Sequence, residues 1–162
     1  MIKLIYVQTE DQKLSVTTLS KEYIDFIESL GFDLTKDPTF SRSELSGKLE
    51  KYSPPNGFQF LAIYDDTPVG TVSVRKIEEG VCELNRLYVK PSSRGKGIAK
   101  LLIEQAIDEA QSIGYHTMRL DSHSLLKDAL KLYKSIGFKQ VEPYYNNPMA
   151  ELIYFELELG QS

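Results

Sequence analysis

The chain has 162 residues, enough for one domain with a single continuous core. Hydrophobic residues make up 41% and charged residues 26%, the balance of an ordinary soluble globular domain. Its 19 basic and 23 acidic residues leave a net charge of -4, which disfavours a general nucleic-acid surface. No apolar run reaches membrane-spanning length, and Cys82, the single cysteine, excludes an internal disulfide. Nothing spaces Cys and His as metal ligands, so no metal is expected, and a reducing cytoplasm is the expected compartment.

Residues 1–8 read as a first strand, too short for a signal peptide. Leu19, Tyr23, Ile24, Phe26, Ile27 and Leu30 make a helical stripe over 17–30, with Gly31 as its C-cap. A short helix is expected over 43–51, ended by Pro54-Pro55-Asn56-Gly57. Strands over 58–64, 69–77 and 81–89, separated by Asp65-Asp66-Thr67-Pro68 and Glu78-Glu79-Gly80, predict a meander. A helix over 98–113 is expected, with Ile98, Leu101, Leu102, Ala106, Ile107, Ala110 and Ile113 along one side. A strand over 117–121, a helix over 125–136 closed by Gly137, and strands over 138–141 and 152–159 complete the chain. Hairpins followed by strand–helix alternation give an α/β sheet of mixed direction in one domain, with no repeats or low-complexity segments.

The segment 84–102 organises this pattern. It runs from a strand through Arg94-Gly95-Lys96-Gly97 into the long helix. Unpaired N–H groups at a helix start, two glycines that admit close approach, and flanking cations suit an anion such as a pyrophosphate. A nucleotide P-loop would need Ser or Thr after Gly95-Lys96, but Gly97 stands there. A dinucleotide loop would need a third glycine where Lys100 stands.

Arg94-Gly95-Lys96-Gly97-Ile98-Ala99 resembles the Arg/Gln-x-x-Gly-x-Gly/Ala motif of the GCN5-related N-acetyltransferases, the GNAT superfamily. Tyr133-Lys134-Ser135-Ile136-Gly137-Phe138 is similar to that family's second hallmark, a helix ending in Tyr-x-x-x-Gly-Phe. The likeness covers roughly residues 57–159 and implies the GNAT fold, a mixed central sheet of about six to seven strands with flanking helices. It further implies acetyl transfer from acetyl-CoA to a primary amine, by direct attack in a ternary complex and without an acyl-enzyme. The cosubstrate's phosphates would lie on Arg94, Gly95, Lys96 and Gly97, with Ile98, Ala99 and Lys100 in the first helical turn. Its pantetheine arm would pair with the backbone of Leu87, Tyr88 and Val89 as an added strand.

Tyr133 matches the family's helix tyrosine, its usual general acid; packing as a core aromatic is the other reading. Glu83, four residues before Leu87, has the spacing of the catalytic glutamate in the histone-acetyltransferase branch. Simple alternation places Glu83 on one strand face with Val81, Leu87 and Val89, and an ion pair with a nearby Arg or Lys is equally open. His123 is a further candidate base, or a bystander beside Ser122 or Ser124 as helix cap, while His116 reads as a surface residue. Cys82 reads as a buried structural thiol. Many relatives carry asparagine where this chain has Leu126, which leaves the thiol end less defined. Tyr144-Tyr145-Asn146-Asn147-Pro148 resembles a segment of some bacterial members, with three uses open: packing over a substrate cation, on the sheet, or on a second copy in a homodimer. Two other functions remain open: an idle acyl-CoA-binding regulatory module, and an ATP-binding protein.

Overall fold

The computed structural model describes residues 1–32, 45–146 and 151–160. Seven strands form one sheet: β1 (Ile2–Tyr6), β2 (Gly57–Tyr64), β3 (Thr67–Glu78), β4 (Val81–Val89), β5 (Thr117–His123), β6 (Lys139–Val141) and β7 (Leu152–Glu158). The helices are α1 (Glu10–Ser29), α2 (Ile98–Ser112) and α3 (Lys127–Ile136). Strand order is β1-β2-β3-β4-β5-β7-β6, and every pairing is antiparallel except β4 with β5.

The expected meander is present. Asp65 and Asp66, at φ 48° and 65°, make a two-residue turn between β2 and β3. Gly80, at φ 78°, turns β3 into β4, and a Cβ there would run into the His116 ring. Phe58, Phe60, Val72, Val74, Cys82 and Leu84 face Leu102, Ile103 and Ala106 of α2, and Tyr133 and Phe155 belong to the same core. On the opposite face Val16 and Leu19 of α1 pack on Leu61 and Tyr88.

Three expectations change. Helix α1 begins at Glu10, two turns before the apolar stripe, because Thr9 and Gln12 form a reciprocal capping box that initiates it in polar sequence. Residues 43 and 44 of the expected short helix lie outside the described residues. The remainder is turns with a 3-10 segment at Glu50–Tyr52. Tertiary packing explains this: the Gly47 amide donates to Thr17 Oγ1 at 2.7 Å, and a Cβ at Gly47 would overlap the Lys13 carbonyl.

The third change concerns β4. Its pairing with β3 runs Thr71↔Tyr88 and then Ser73↔Asn85, so Arg86 and Leu87 together oppose a single residue. Arg86 has φ 55°, and this bulge reverses the inward-outward alternation. Glu83 therefore does not share a face with Leu87 and Val89. Those two pack with the α2 core, whereas Tyr88 packs with α1.

No helix among the described residues is long and apolar enough to cross a membrane.

Phe155 is 0% exposed, at the centre of the core and 6.0 Å from the Tyr133 ring. Phe155→Ala is expected to cost about 3–5 kcal/mol in urea unfolding, and a loss below about 1 kcal/mol would contradict this packing.

Candidate active site

β4 and β5 pair at only three positions, Val81↔Thr117, Cys82↔Met118 and Glu83↔Arg119, and then part. Beyond that point lie two cavities that share Tyr23, Leu87, Leu126 and Ala129 and so form one continuous cleft.

The first cavity, of about 540 Å³, is bounded by Leu87, Tyr88 and Val89 on one side and the start of α2 on the other. Gly97 is the N-cap of α2, at φ 76°, with no side chain capping the helix. Gly95 has φ 82°, and ideal Cβ positions on both glycines meet nothing within 4 Å. Glycine is needed here for its backbone conformation, and the first-turn N–H groups point at a space no side chain fills. That cradle fits a phosphate group. Gly95, Gly97, Ile98, Ala99 and Lys100 line it. Arg94 lines it too, but its side chain turns inward: Nε donates to the Val89 carbonyl at 3.1 Å and the guanidinium lies 4.8 Å from the Phe26 ring centre. Lys96 departs from the expectation. It is absent from the cavity wall and lies over Tyr64, 5.4 Å from the ring centre.

The second cavity, of about 430 Å³, opens on the α1 side of the parted strands. Tyr133 reaches it from α3, 6% exposed, with its ring against Phe138 and Phe155. Burial pushes its phenol well above the ordinary range, and Tyr23 and Asp121 add to the shift. It is thus both core aromatic and cavity wall. Tyr23, opposite on α1, is pushed up to about 12 by burial and by Asp121, with Arg86 pulling the other way.

Glu83 lines the same cavity and is 4% exposed. Its Oε1 accepts from Arg75 Nε at 3.0 Å and Asn85 Nδ2 at 2.9 Å, and Arg75 Nη2 lies 3.0 Å away. Its Oε2 accepts from Tyr144 Oη at 2.8 Å. Three donors thus crowd Oε1 and one meets Oε2, the arrangement of a paired carboxylate withdrawn from solvent.

Asp121 was not singled out from sequence. It lies on β5 two residues beyond Arg119, the residue paired with Glu83, and accepts from Tyr145 Oη at 2.6 Å. The signal was present, since 119, 121 and 123 alternate onto the cleft side of β5, but a strand end with one Asp carries no motif. Lys51, Tyr52 and Arg86, also missed, line the far end.

His123 lines the cavity, 9% exposed, its ring 3.9 Å from that of Phe32. Neither Ser122 nor Ser124 caps α3; its N-cap is Leu126, with no side-chain hydrogen bond. His116 is exposed and its Nδ1 meets Thr117 Oγ1 at 2.8 Å. Cys82 is fully buried, and burial pushes its thiol up to about 12, so it is inert. Tyr144 and Tyr145 pack on each other and on Tyr154 of the sheet, and Arg119 lies over Tyr144. Asn147 and Pro148 lie outside the described residues. Among the described residues, no group of three His, Cys, Asp or Glu side chains is placed to hold a metal ion.

The model of the acetyltransferase (GNAT) family matches residues 23–138. A Schizosaccharomyces pombe protein named as an N-acetyltransferase is 38% identical over 139 residues, covering 85% of this chain and 84% of that one. The N-acetyltransferase YjgM of Escherichia coli is 30% identical over 115 residues, covering 69% of each. The PaiA N-acetyltransferase of Thermoplasma acidophilum, solved with coenzyme A, superposes with a TM-score of 0.76 at 20% identity, covering 98% of this chain and 99% of that one.

The buried phenols set a pH dependence. Tyr23, Tyr133 and Tyr144 are all raised, so above about pH 10 the unfolded chain loses tyrosine protons that the fold retains. Their contribution is fully present below about pH 10 and declines as pH rises. The urea midpoint should fall as pH rises from about pH 10 to about pH 12, and less steeply in Tyr133→Phe. Identical slopes in parent and variant would contradict the burial of that hydroxyl.

Proposed function

The chain belongs to the acetyltransferase (GNAT) family, and on that premise we propose that it transfers the acetyl group of acetyl-CoA to a primary amine by direct attack in a ternary complex. The observation that carries this reading is the position of Tyr133. It stands in the acceptor cavity beside Ala129 and Leu126, the residues at which that cavity meets the cofactor cleft. An amine entering one cavity and a thioester threaded through the other would meet there.

In this reading the amine nitrogen attacks the thioester carbon, the C–S bond breaks, and sulfur leaves as thiolate. Tyr133, held neutral by burial, donates to that sulfur. Leu126 makes the junction apolar, which strengthens such a hydrogen bond. The loop from Arg94 to Lys100 holds the phosphates, and the edge of β4 that β5 leaves beyond Glu83 receives the pantetheine arm.

Proton removal is assigned to Glu83 acting through solvent in the cavity, because its own oxygens are held by Arg75, Asn85 and Tyr144. Asp121 is the rival carboxylate, one position past the last β4–β5 pair on that face.

Tyr133→Phe is expected to lower turnover at least about tenfold while acetyl-CoA affinity stays within about twofold. Unchanged turnover with a good acceptor would remove Tyr133 from the mechanism. In pH–rate profiles, the variant of Glu83→Gln and Asp121→Asn that loses the acidic limb identifies the proton acceptor. A parent-like profile in Glu83→Gln would exclude Glu83. Acetyl-CoA binding without turnover on any of a broad set of amines would favour the idle-module reading instead.

A further inference from the structure

We propose that Tyr23 is a second catalytic hydroxyl, donating a hydrogen bond from α1 to the departing sulfur while Tyr133 donates from α3. The inference rests on the transferase reading above and adds a residue to its thiol end.

Tyr23, Leu87, Leu126 and Ala129 line both cavities, and of these Tyr23 alone carries a polar side chain. Helix α1 runs beside both cavities, and its side chains divide between them. Phe26 and Leu30 line only the cofactor cavity, whereas Ile24 and Ile27 line only the acceptor cavity. Tyr23 stands at the seam between these two sets. Tyr133 lines the acceptor cavity only. A thioester threaded through one cavity meets an amine from the other at that seam. No other hydroxyl among the described residues borders it from both sides.

The ring of Tyr23 is seated without help from its oxygen. It lies 5.9 Å from the Tyr88 ring and packs against two apolar clusters, one with Val16, Leu19 and Leu61, the other with Ile24, Ile27 and Leu45. Phenylalanine would keep those contacts, so packing does not call for the hydroxyl. The other three residues at the seam are apolar, and a hydroxyl set among them carries a desolvation cost. A sulfur that gains negative charge at the seam is an acceptor that offsets this cost.

The two phenols address one region. Tyr133 is raised first by burial and then by Tyr23 and Asp121, so its hydroxyl feels that of Tyr23. Tyr23 is itself pushed up to about 12 by burial and Asp121, with Arg86 opposing. Both therefore stay protonated near neutral pH and present O–H donors. In the step, nitrogen bonds to the acyl carbon, the C–S electron pair passes to sulfur, and the proton of nitrogen goes to the base through solvent. Tyr23 keeps its own proton and stabilises the new charge on sulfur by its hydrogen bond. That charge is small in the bound thioester and grows as the bond breaks, so the donation lowers the barrier rather than merely tightening binding. The apolar seam strengthens it by excluding water.

The test reads the thiol as well as turnover. The full chain is loaded with coenzyme A and the bound thiol is titrated by its ultraviolet thiolate absorbance, with the desulfo-coenzyme A complex subtracting the tyrosines of the protein. A donor to the charged form lowers a pKa, so removing one raises it. The bound thiol should titrate about half a unit or more higher in Tyr23→Phe than in the parent, and higher again when Tyr133→Phe is added. With acetyl-CoA, kcat should fall about threefold to tenfold in Tyr23→Phe while its KM stays within about twofold. Urea midpoints establish that each variant is folded. An unmoved thiol pKa in folded Tyr23→Phe, or an unchanged kcat in a parent that turns over, would overturn the inference and leave the transferase reading intact. A raised thiol pKa with no turnover by the parent on any amine would support the contact of Tyr23 with sulfur while the transferase reading fails. A parent that binds no coenzyme A would overturn both.

Discussion

The parting of β4 from β5 is the constraint on which the site depends. After Glu83↔Arg119 the two parallel strands stop pairing, and the edge of β4 beyond that point keeps a strand partner on its β3 side only. Backbone polar groups left at such an edge need another partner. The same divergence makes room for α3 to bring Tyr133 through from the α2 side of the sheet to a cavity on the α1 side. One break in the ladder therefore creates both the open edge of β4 and the passage joining the two cavities.

The break is held open by polar interactions on its α1 side. Glu83 sits at the last paired position, clasped by Arg75 across β3 and by Tyr144 from the segment after β6. Arg119, its strand partner, is engaged by Glu156 on β7 at 2.9 Å and by the face of Tyr144. A buried ion pair of this kind contributes little net stability but strongly penalises rearrangement, since any separated charge would be left unsatisfied. The mouth of the cleft thus has a fixed geometry, while the apolar residues Leu87, Leu126 and Ala129 at the junction keep water from the place where sulfur would leave.

Much of this was legible in the sequence, for a physical reason. Elements with a full apolar face, such as α2 and strands β2 to β4, declared themselves by periodicity, and glycines at positive φ marked Gly95, Gly97 and Gly137 as forced by the backbone. The family resemblance rested on those positions and agrees with the matched family. What escaped reading was set by tertiary context. The bulge at Arg86 has no local sequence signature, so strict alternation put Leu87 and Val89 on the wrong face relative to Glu83. The turn at Gly47 takes its shape from packing against α1. Lys96 looked like a phosphate ligand because charge near a glycine loop suggests one, yet its long side chain settles on Tyr64. Asp121 gains meaning only once β5 is seen to leave β4.

The central claim is that this cleft seats acetyl-CoA with its phosphates at the start of α2. The most direct measurement is calorimetric titration of the purified protein with acetyl-CoA, repeated on Gly97→Glu. That variant strains a backbone at φ 76° and places a carboxylate where the phosphates would sit. The account predicts saturable binding to the parent, lost in a variant whose far-ultraviolet spectrum remains that of the fold. Binding undiminished in Gly97→Glu would place the cosubstrate elsewhere, and no binding to the parent would contradict the account outright.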